Sequence, residues 1–387
     1  MIPVSRCLRE TEEKIMRIVR DEGLVSRADI ARKSGLSKPV VSVIVNNFIS
    51  QGSVVEVKEG ESSNRGGKKP MLLSFVSNYK YVVGVDVGGN KLISVLSDLD
   101  GNIVKKAKFS TKSISDEKSF LEIVEMAISQ VMKVPVSKVM GIGLGVPGTV
   151  DPESGLIFYM PAFGLRKVNL RDYIEERFEV PTFVSNDVTL NALGEMWAGA
   201  AKGCRNVFLT ALGTGTGAGL IINNELYEGS SGVAGEIGYM ITDWSREKNL
   251  SFVFGSLESW FSGYAFEKLL SDEKLLSEFE NEPSVAQMFD ASDTNPRFKE
   301  IVTVACEHLS VVIANVITLL DPDVVVITGG IGYNQYDRIL SLIMPVLKRT
   351  VPAEILERVT FKRGELGELG VSLGAVCNVQ RKVFMEV

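Results

Sequence analysis

Asp86-Val87-Gly88-Gly89-Asn90-Lys91 lies between two short apolar runs, with Val82, Val83 and Val85 before it and Leu92, Ile93, Val95 and Leu96 after it. Such β-branched-rich runs read as buried strands. Glycines let backbone N–H groups approach a ligand closely, and phosphate oxygens need donors of that kind. Asp86 is suited to Mg²⁺, directly or through water, and Lys91 adds positive charge. Asp86, Gly88, Gly89 and Lys91 are therefore candidate phosphate-binding residues. A tight hairpin turn is the competing reading, for which Gly-Gly alone suffices.

The same layout returns at Asn206–Ile222, NVFLTALGTGTGAGLII. Here the turn offers the backbone of Gly213, Gly215 and Gly217 and the hydroxyls of Thr214 and Thr216. Two glycine turns in corresponding places, each between buried strands, point to an internal duplication. Two such lobes can clamp a nucleotide from both sides. A third glycine group, Gly329-Gly330-Ile331-Gly332, follows the strand Val324–Thr328. It would let a flat base slide against the backbone, and a plain strand–helix turn is the alternative.

These turns need large, buried supports. A chain of 387 residues with 45% hydrophobic and 23% charged residues has room for two or three domains. Four cysteines far apart and one histidine, His308, leave little material for a disulfide framework, a His-rich metal site or a serine-type triad. The first residues are charged and lack an apolar secretory core, and we read no run of about 18 apolar residues. A cytoplasmic protein with no membrane partner is expected. Supporting helices are expected over Ser119–Met132, Leu190–Gly199 and Phe298–Leu320, the last holding His308 as a structural or exposed residue.

The net charge of −6 is uneven: residues 1–70 carry 13 Lys/Arg against 9 Asp/Glu, so the positive charge gathers at the front. That suggests a polyanion partner for this piece. Its pattern is helix (Thr11–Asp21), short helix capped by Ser26 with Asp29, a turn at Gly35, and a third helix capped by Ser37. Val41, Ile44, Val45, Phe48 and Ile49 form one apolar stripe. The opposite face shows Lys38, Pro39, Ser42, Val43, Asn46 and Asn47. This is helix-turn-helix spacing, with Ser37, Lys38, Pro39, Ser42 and Asn46 placed to reach phosphates or base edges in a major groove. Val54–Val57 and Met71–Phe75 then enclose a basic loop, a wing carrying Arg65, Lys68 and Lys69. A small helical bundle for protein contacts is the alternative.

From Ser26 to Ala375 the chain resembles the ROK family of sugar kinases and sugar-responsive repressors. The motifs are GLSKPVVSVIVNNFISQG with GGKKP, VDVGGNK, GVPG, SND, ALGTGTGAGL, GVAGEIGY and ITGGIG. The resemblance implies an α/β, actin-like ATPase (ribonuclease H-like) two-lobed fold behind a winged helix-turn-helix. The expected divisions are 1–76 for the DNA-binding domain, 77–187 with 371–387 for the first lobe, and 188–370 for the second. In kinase members Asp187 would be the general base for the attacking sugar hydroxyl. Gly148, Asn186, Asp187, Glu236, Tyr239 and Glu258 would line the sugar site. Tyr239 stands where the family has histidine, and Asn249, Ser251 and Ser256 stand where it has cysteines of a zinc cluster. None of the three polar residues replaces a thiolate on zinc, so no structural zinc is expected. Segment 240–256 would then be ordered by Phe252, Phe254 and Trp260.

The expected function is a sugar-responsive repressor that binds operator DNA as a homodimer or higher homo-oligomer. An ATP-dependent sugar kinase using Mg·ATP is the alternative, and a nucleotide-binding scaffold without either activity is the third.

Overall fold

The computed structural model describes residues 4–60, 69–243, 257–271 and 284–386. The front of the chain folds as α1 (Val4–Glu22), β1 (Val25–Ser26), α2 (Arg27–Ser34), α3 (Lys38–Gln51), β2 (Val54–Glu59) and β3 (Met71–Phe75). The strands form an antiparallel sheet in the order β1-β3-β2. Val41, Ile44, Val45 and Phe48 of α3 pack with Ile15, Val19, Ile30 and Leu73 in one core. Each such side chain contributes about 1.5–3 kcal/mol of burial free energy, so the stripe fixes the angle of α3. Ser26 caps α2 as expected, accepting from Asp29 N at 3.1 Å. Ser37 occupies the cap position of α3, but its side chain makes no capping hydrogen bond. Gly35 and Gly52 end α2 and α3 at φ of 72° and 78°, the left-handed region that glycine enters without a Cβ clash.

The first lobe contains β4 (Tyr81–Val87), β5 (Lys91–Asp98), β6 (Ile103–Ser110), α4 (Glu117–Val131) and β7 (Val139–Val146). A small antiparallel sheet follows, made of β8 (Thr149–Val150), β9 (Ile157–Met160) and β10 (Leu165–Val168). Sequence patterning missed it, since its strands are only two to four residues long. Next come α5 (Leu170–Phe178) and β11 (Thr182–Asn186). The main sheet has the order β11-β7-β4-β5-β6, parallel across β11, β7 and β4 and antiparallel across β4, β5 and β6.

The second lobe repeats the plan. Its strands are β12 (Val207–Leu212), β13 (Thr216–Ile222), β14 (Glu225–Leu226), β15 (Val324–Thr328) and β16 (Thr360–Arg363). The order is β16-β15-β12-β13-β14, again two parallel pairs followed by two antiparallel ones. The duplication inferred from the two glycine turns is thus a repeat of the whole sheet. Between β14 and β15 the second lobe holds helices Gly263–Leu270, Val285–Ala291 and Pro296–Leu320. The last is long and apolar enough to cross a membrane by composition, with mean hydropathy 1.8 over its best window. Phe298, Val302, Leu309 and Ile313 nevertheless lie in the core of the second lobe, with Phe261, Phe266 and Phe289.

Two helices join the lobes. Helix α6 (Asp187–Ala198) packs on β12 and β13, and the C-terminal helix Gly370–Glu386 packs on β4 and β7. They cross each other so closely that a Cβ on Gly374 would overlap the Leu190 carbonyl, and one on Gly194 the Gly370 carbonyl. Side chains at this crossing would hold the backbones apart, so glycine sets the spacing between the two halves.

Candidate functional site

The parallel strands of the first lobe deliver their C-terminal ends to one edge, where ligands of open α/β sheets bind. Asp86 is the penultimate residue of β4 and pairs with Gly145 of β7. Asn186 ends β11 beside Val146, and Asp187 opens α6. That helix starts three residues earlier than the Leu190 expected from patterning, because Asn186 supplies the cap. The Asn186 carbonyl oxygen accepts from Val188 N at 2.9 Å and Thr189 N at 3.1 Å, and its amide donates to Gly148 O at 3.1 Å. Asn186 therefore fixes the Gly148 loop against the mouth of α6 and so aims Asp187.

Burial, then the facing charge of Asp86, pushes the Asp187 carboxyl up to about 7, and Glu236 adds to the effect. Asp86 is likewise pushed up to about 7 by burial, with Lys91 opposing and Glu368 adding. Asp187 as a whole residue is half-buried. Both carboxyls are thus raised to near neutrality, a range suited to accepting a proton from a hydroxyl.

The wall opposite comes from the second lobe. Burial raises the Glu236 and Glu258 carboxyls, and the Glu236 charge raises Glu258 further. Glu258 Oε1 accepts from Thr216 N at 3.3 Å, and Glu258 N donates to Gly238 O at 3.0 Å. Tyr239, 50% exposed, has its hydroxyl raised by burial and by the Glu236, Glu258 and Tyr159 charges. Gly148 and Asn186 are thus joined by a hydrogen bond, and Asp187, Glu236, Tyr239 and Glu258 lie close enough for their charges to act on one another. Tyr159, on β9, joins them and was not expected.

The glycine turns differ from their expected roles in detail. Gly88 N donates to Lys91 O at 2.8 Å, so Gly88-Gly89 closes the hairpin between β4 and β5. The stretch is the hairpin turn of the competing reading, two residues beyond Asp86. In the second turn, Thr214 is exposed, but the Thr216 hydroxyl donates to the Phe261 carbonyl. That hydroxyl is engaged within the second lobe, which departs from the expectation that both threonines face phosphate. Gly213, Gly215 and Gly217 stay at the edge, Gly215 against Glu258 and Gly217 against Val188. Gly329 and Gly330 begin a short helix directly against Leu212 and Gly213, so the third glycine group meets the second.

Glu368, also unexpected, bridges Lys91, Lys106 and Lys108, and the bonds from Lys106, Lys108 and Lys91 hold its carboxyl at about 2. Among the described residues no group of three His, Cys, Asp or Glu side chains converges as a metal site. Asn249, Ser251, Ser256, Phe252 and Phe254 lie outside the described residues. Trp260 stacks on His308 with centroids 4.0 Å apart, and His308 Nδ1 lies 2.8 Å from Thr242 Oγ1.

In the N-terminal domain formed by α1 to β3, the candidate reading head, Ser37, Lys38, Pro39 and Asn46 are exposed and Ser42 is half-buried. The Asn46 carbonyl accepts from Arg27 at 3.0 Å, and Arg27 pairs with Glu56 at 2.7 Å. Lys69 is exposed, and Arg65 and Lys68 lie outside the described residues. Sequence reasoning missed Arg20. From α1 it donates to Asp100 at 3.2 Å, to the Gln380 side chain at 3.1 Å and to the Leu99 carbonyl, and it lies over the Phe75 ring. Contacts 80 and 360 positions away leave no local signature.

Residues 82–381 match the ROK family, and residues 8–55 match a winged helix-turn-helix DNA-binding family. The chain is 30% identical to the xylose repressor of Bacillus subtilis over 89% of its own length and 86% of that protein. It is 28% identical to a glucokinase of Halalkalibacterium halodurans over 79% of its length and 97% of that enzyme. A crystal structure of a ROK family transcriptional regulator, a homologue of the Escherichia coli MLC protein, superposes with a TM-score of 0.82 at 21% identity, covering 98% of this chain and 97% of that one. The chain belongs to the ROK family, with a winged helix-turn-helix ahead of the two ROK lobes.

Proposed function

We propose that this protein is a sugar-responsive transcriptional repressor of carbohydrate genes. The observation that carries the reading is the unbroken line of packing from the cleft to the DNA-reading head. Asp187 and Asn186 open α6. Trp197 near the other end of α6 packs on the Gly101 turn. Arg20 of the reading head grips that same turn at Leu99 and Asp100. A ligand that shifts α6 shifts the support of α1, and with it the placement of α3. A polyhydroxylated ligand suits the cleft, since Asp187, Glu236 and Glu258 accept hydroxyl donors and a site of fixed acceptors discriminates hydroxyl patterns. The B. subtilis relative is named for xylose, so pentoses belong in the trial panel beside hexoses and N-acetylhexosamines.

Part of the same reading is the division at residues 76, 187 and 370, with 371–387 returning to the first lobe. So is a symmetric homodimer presenting two α3 helices to a palindromic operator in the cytoplasm. Sugar must bind one placement of the heads better than the other to change operator affinity. An operator gel shift across the sugar panel tests this. Sequence-selective binding that one sugar class changes at least about tenfold is expected. Binding indifferent to every sugar would sink the reading.

The paired acids favour a second activity. Asp86, beside the Gly88-Gly89 turn, and Asp187 are hard oxygen donors, and Asp86 would hold Mg²⁺. There the metal would neutralise phosphate charge. Asp187 would accept the proton of the attacking sugar hydroxyl, and Glu236 and Glu258 would orient the sugar. A coupled ADP-release assay decides it: turnover lost in Asp187→Asn supports sugar kinase activity, and none above that control dismisses it.

A further inference from the structure

The polar face of α3 has an apolar centre. Val43 is 63% exposed, the most exposed large apolar side chain of the described reading head, and Val40 one turn earlier is 41% exposed. Val43 and Val40 are not core residues, because Val41, Ile44, Val45 and Phe48 form the buried stripe of the same helix. Around them lie Lys38, Ser42, Asn46 and Asn47. An apolar protein surface covering Val43 would strand these polar groups without partners. The floor of a major groove offers both at once: hydrogen-bonding base edges and, at each A·T pair, the C5-methyl group of thymine. Arg27 holds the Asn46 carbonyl, which leaves the Asn46 amide hydrogens for a base acceptor beside such a methyl.

We infer that Val43 is a specificity residue that packs on a thymine methyl, with Val40 beside it, so that each operator half-site contains a thymine at the position facing the middle of α3. The inference rests on the repressor reading and adds a named base contact to it.

The test removes the methyl from the DNA and the side chain from the protein. Binding sites are selected with the full chain from random duplexes, and each thymine of the selected half-site is replaced in turn by deoxyuridine, which lacks only that methyl. One replacement should weaken binding of the unaltered protein about fourfold, the worth of one buried methyl. The same replacement should cost Val43→Ala nothing further, so the two changes are non-additive. Val43→Thr, which keeps the shape and one methyl, should retain part of the sensitivity. Indifference of the unaltered protein to every deoxyuridine overturns the inference without needing any variant. Equal losses in the protein and in Val43→Ala overturn it as well. In both cases selective binding would persist and the repressor reading would stand. Failure to select any sequence would remove both.

Discussion

The two lobes share one sheet topology and differ in what holds the hairpin at the outer edge. In the first lobe that turn is Asp98–Asn102, between β5 and β6, and Arg20 of the reading head grips it. In the second it is Asn223-Asn224, between β13 and β14, and Arg381 of the C-terminal helix grips it through Asn224 O at 2.9 Å and the Glu225 carboxylate at 2.5 Å. Gln380, next to Arg381, completes the grip of Arg20. Equivalent turns are thus clamped by arginines of different origin. The second lobe is tied to the ROK body itself, and the first is tied to the DNA-binding domain. The cleft faces differ in the same sense. The first lobe offers the acids Asp86 and Asp187 near neutrality, whereas the second offers backbone turns with Glu236 and Glu258 on its insert. A duplicated scaffold has kept its shape, while the outer turn of one copy is held by an arginine of the DNA-binding domain.

The crossing shared by both lobes is the most sensitive point. Gly374→Val should lose about 3 kcal/mol or more of stability, read by urea denaturation, because the new side chain meets the Leu190 carbonyl. A loss below 1 kcal/mol would show that the crossing yields and cannot transmit a shift.

Asp187→Asn sharpens the contrast between the acid face and the neutral one. A carboxyl raised to about 7 holds its proton longer folded than unfolded, so its favourable contribution is present at low pH and is lost as pH rises from about 4 to 7. The amide carries no such penalty. Asp187→Asn should therefore melt several degrees higher than the unaltered protein at pH 8, with the difference vanishing near pH 4. An unchanged or lower melting temperature at pH 8 would contradict the environment drawn for Asp187. The same variant should bind sugar about tenfold or more weakly by calorimetry, the worth of a hydrogen bond to a charged group.

Arg20→Ala and Arg381→Ala separate the two clamps. Arg20→Ala should leave sugar affinity within about twofold while cutting the sugar-induced change in operator affinity about tenfold, a coupling loss near 1.4 kcal/mol. Arg381→Ala should cost about 0–1 kcal/mol of stability, in keeping with an exposed pair, and leave the coupling intact. Equal effects of the two on coupling would erase the distinction between the lobes.

Much of this organisation was legible in the chain. The apolar stripe of α3 and the Ser26 cap depend on neighbours within a few residues, and periodicity exposes them. The duplication was visible because both copies kept a glycine turn between apolar strands. Asp187, Glu236 and Glu258 were singled out through family motifs, and in the folded chain the Glu236 charge acts on both of the others. What stayed hidden depends on distant partners. Nothing near Thr216 reveals that its hydroxyl meets the Phe261 carbonyl, and nothing near Lys106 or Lys108 reveals Glu368. Ser37 sits at the right position for a cap, yet its side chain makes no capping hydrogen bond. Arg20 is one basic residue among several in α1, and only the folded chain sets it against Leu99, Asp100 and Gln380.

The most direct measurement is a reciprocal titration of the 387-residue chain: operator affinity with and without each sugar, and sugar affinity with and without operator. Linkage requires both changes to have the same factor. One sugar class is expected to shift operator affinity about tenfold or more, with the matching shift in sugar affinity when operator is bound. Tight sugar binding that leaves operator affinity untouched would contradict transmission from the cleft to the reading head.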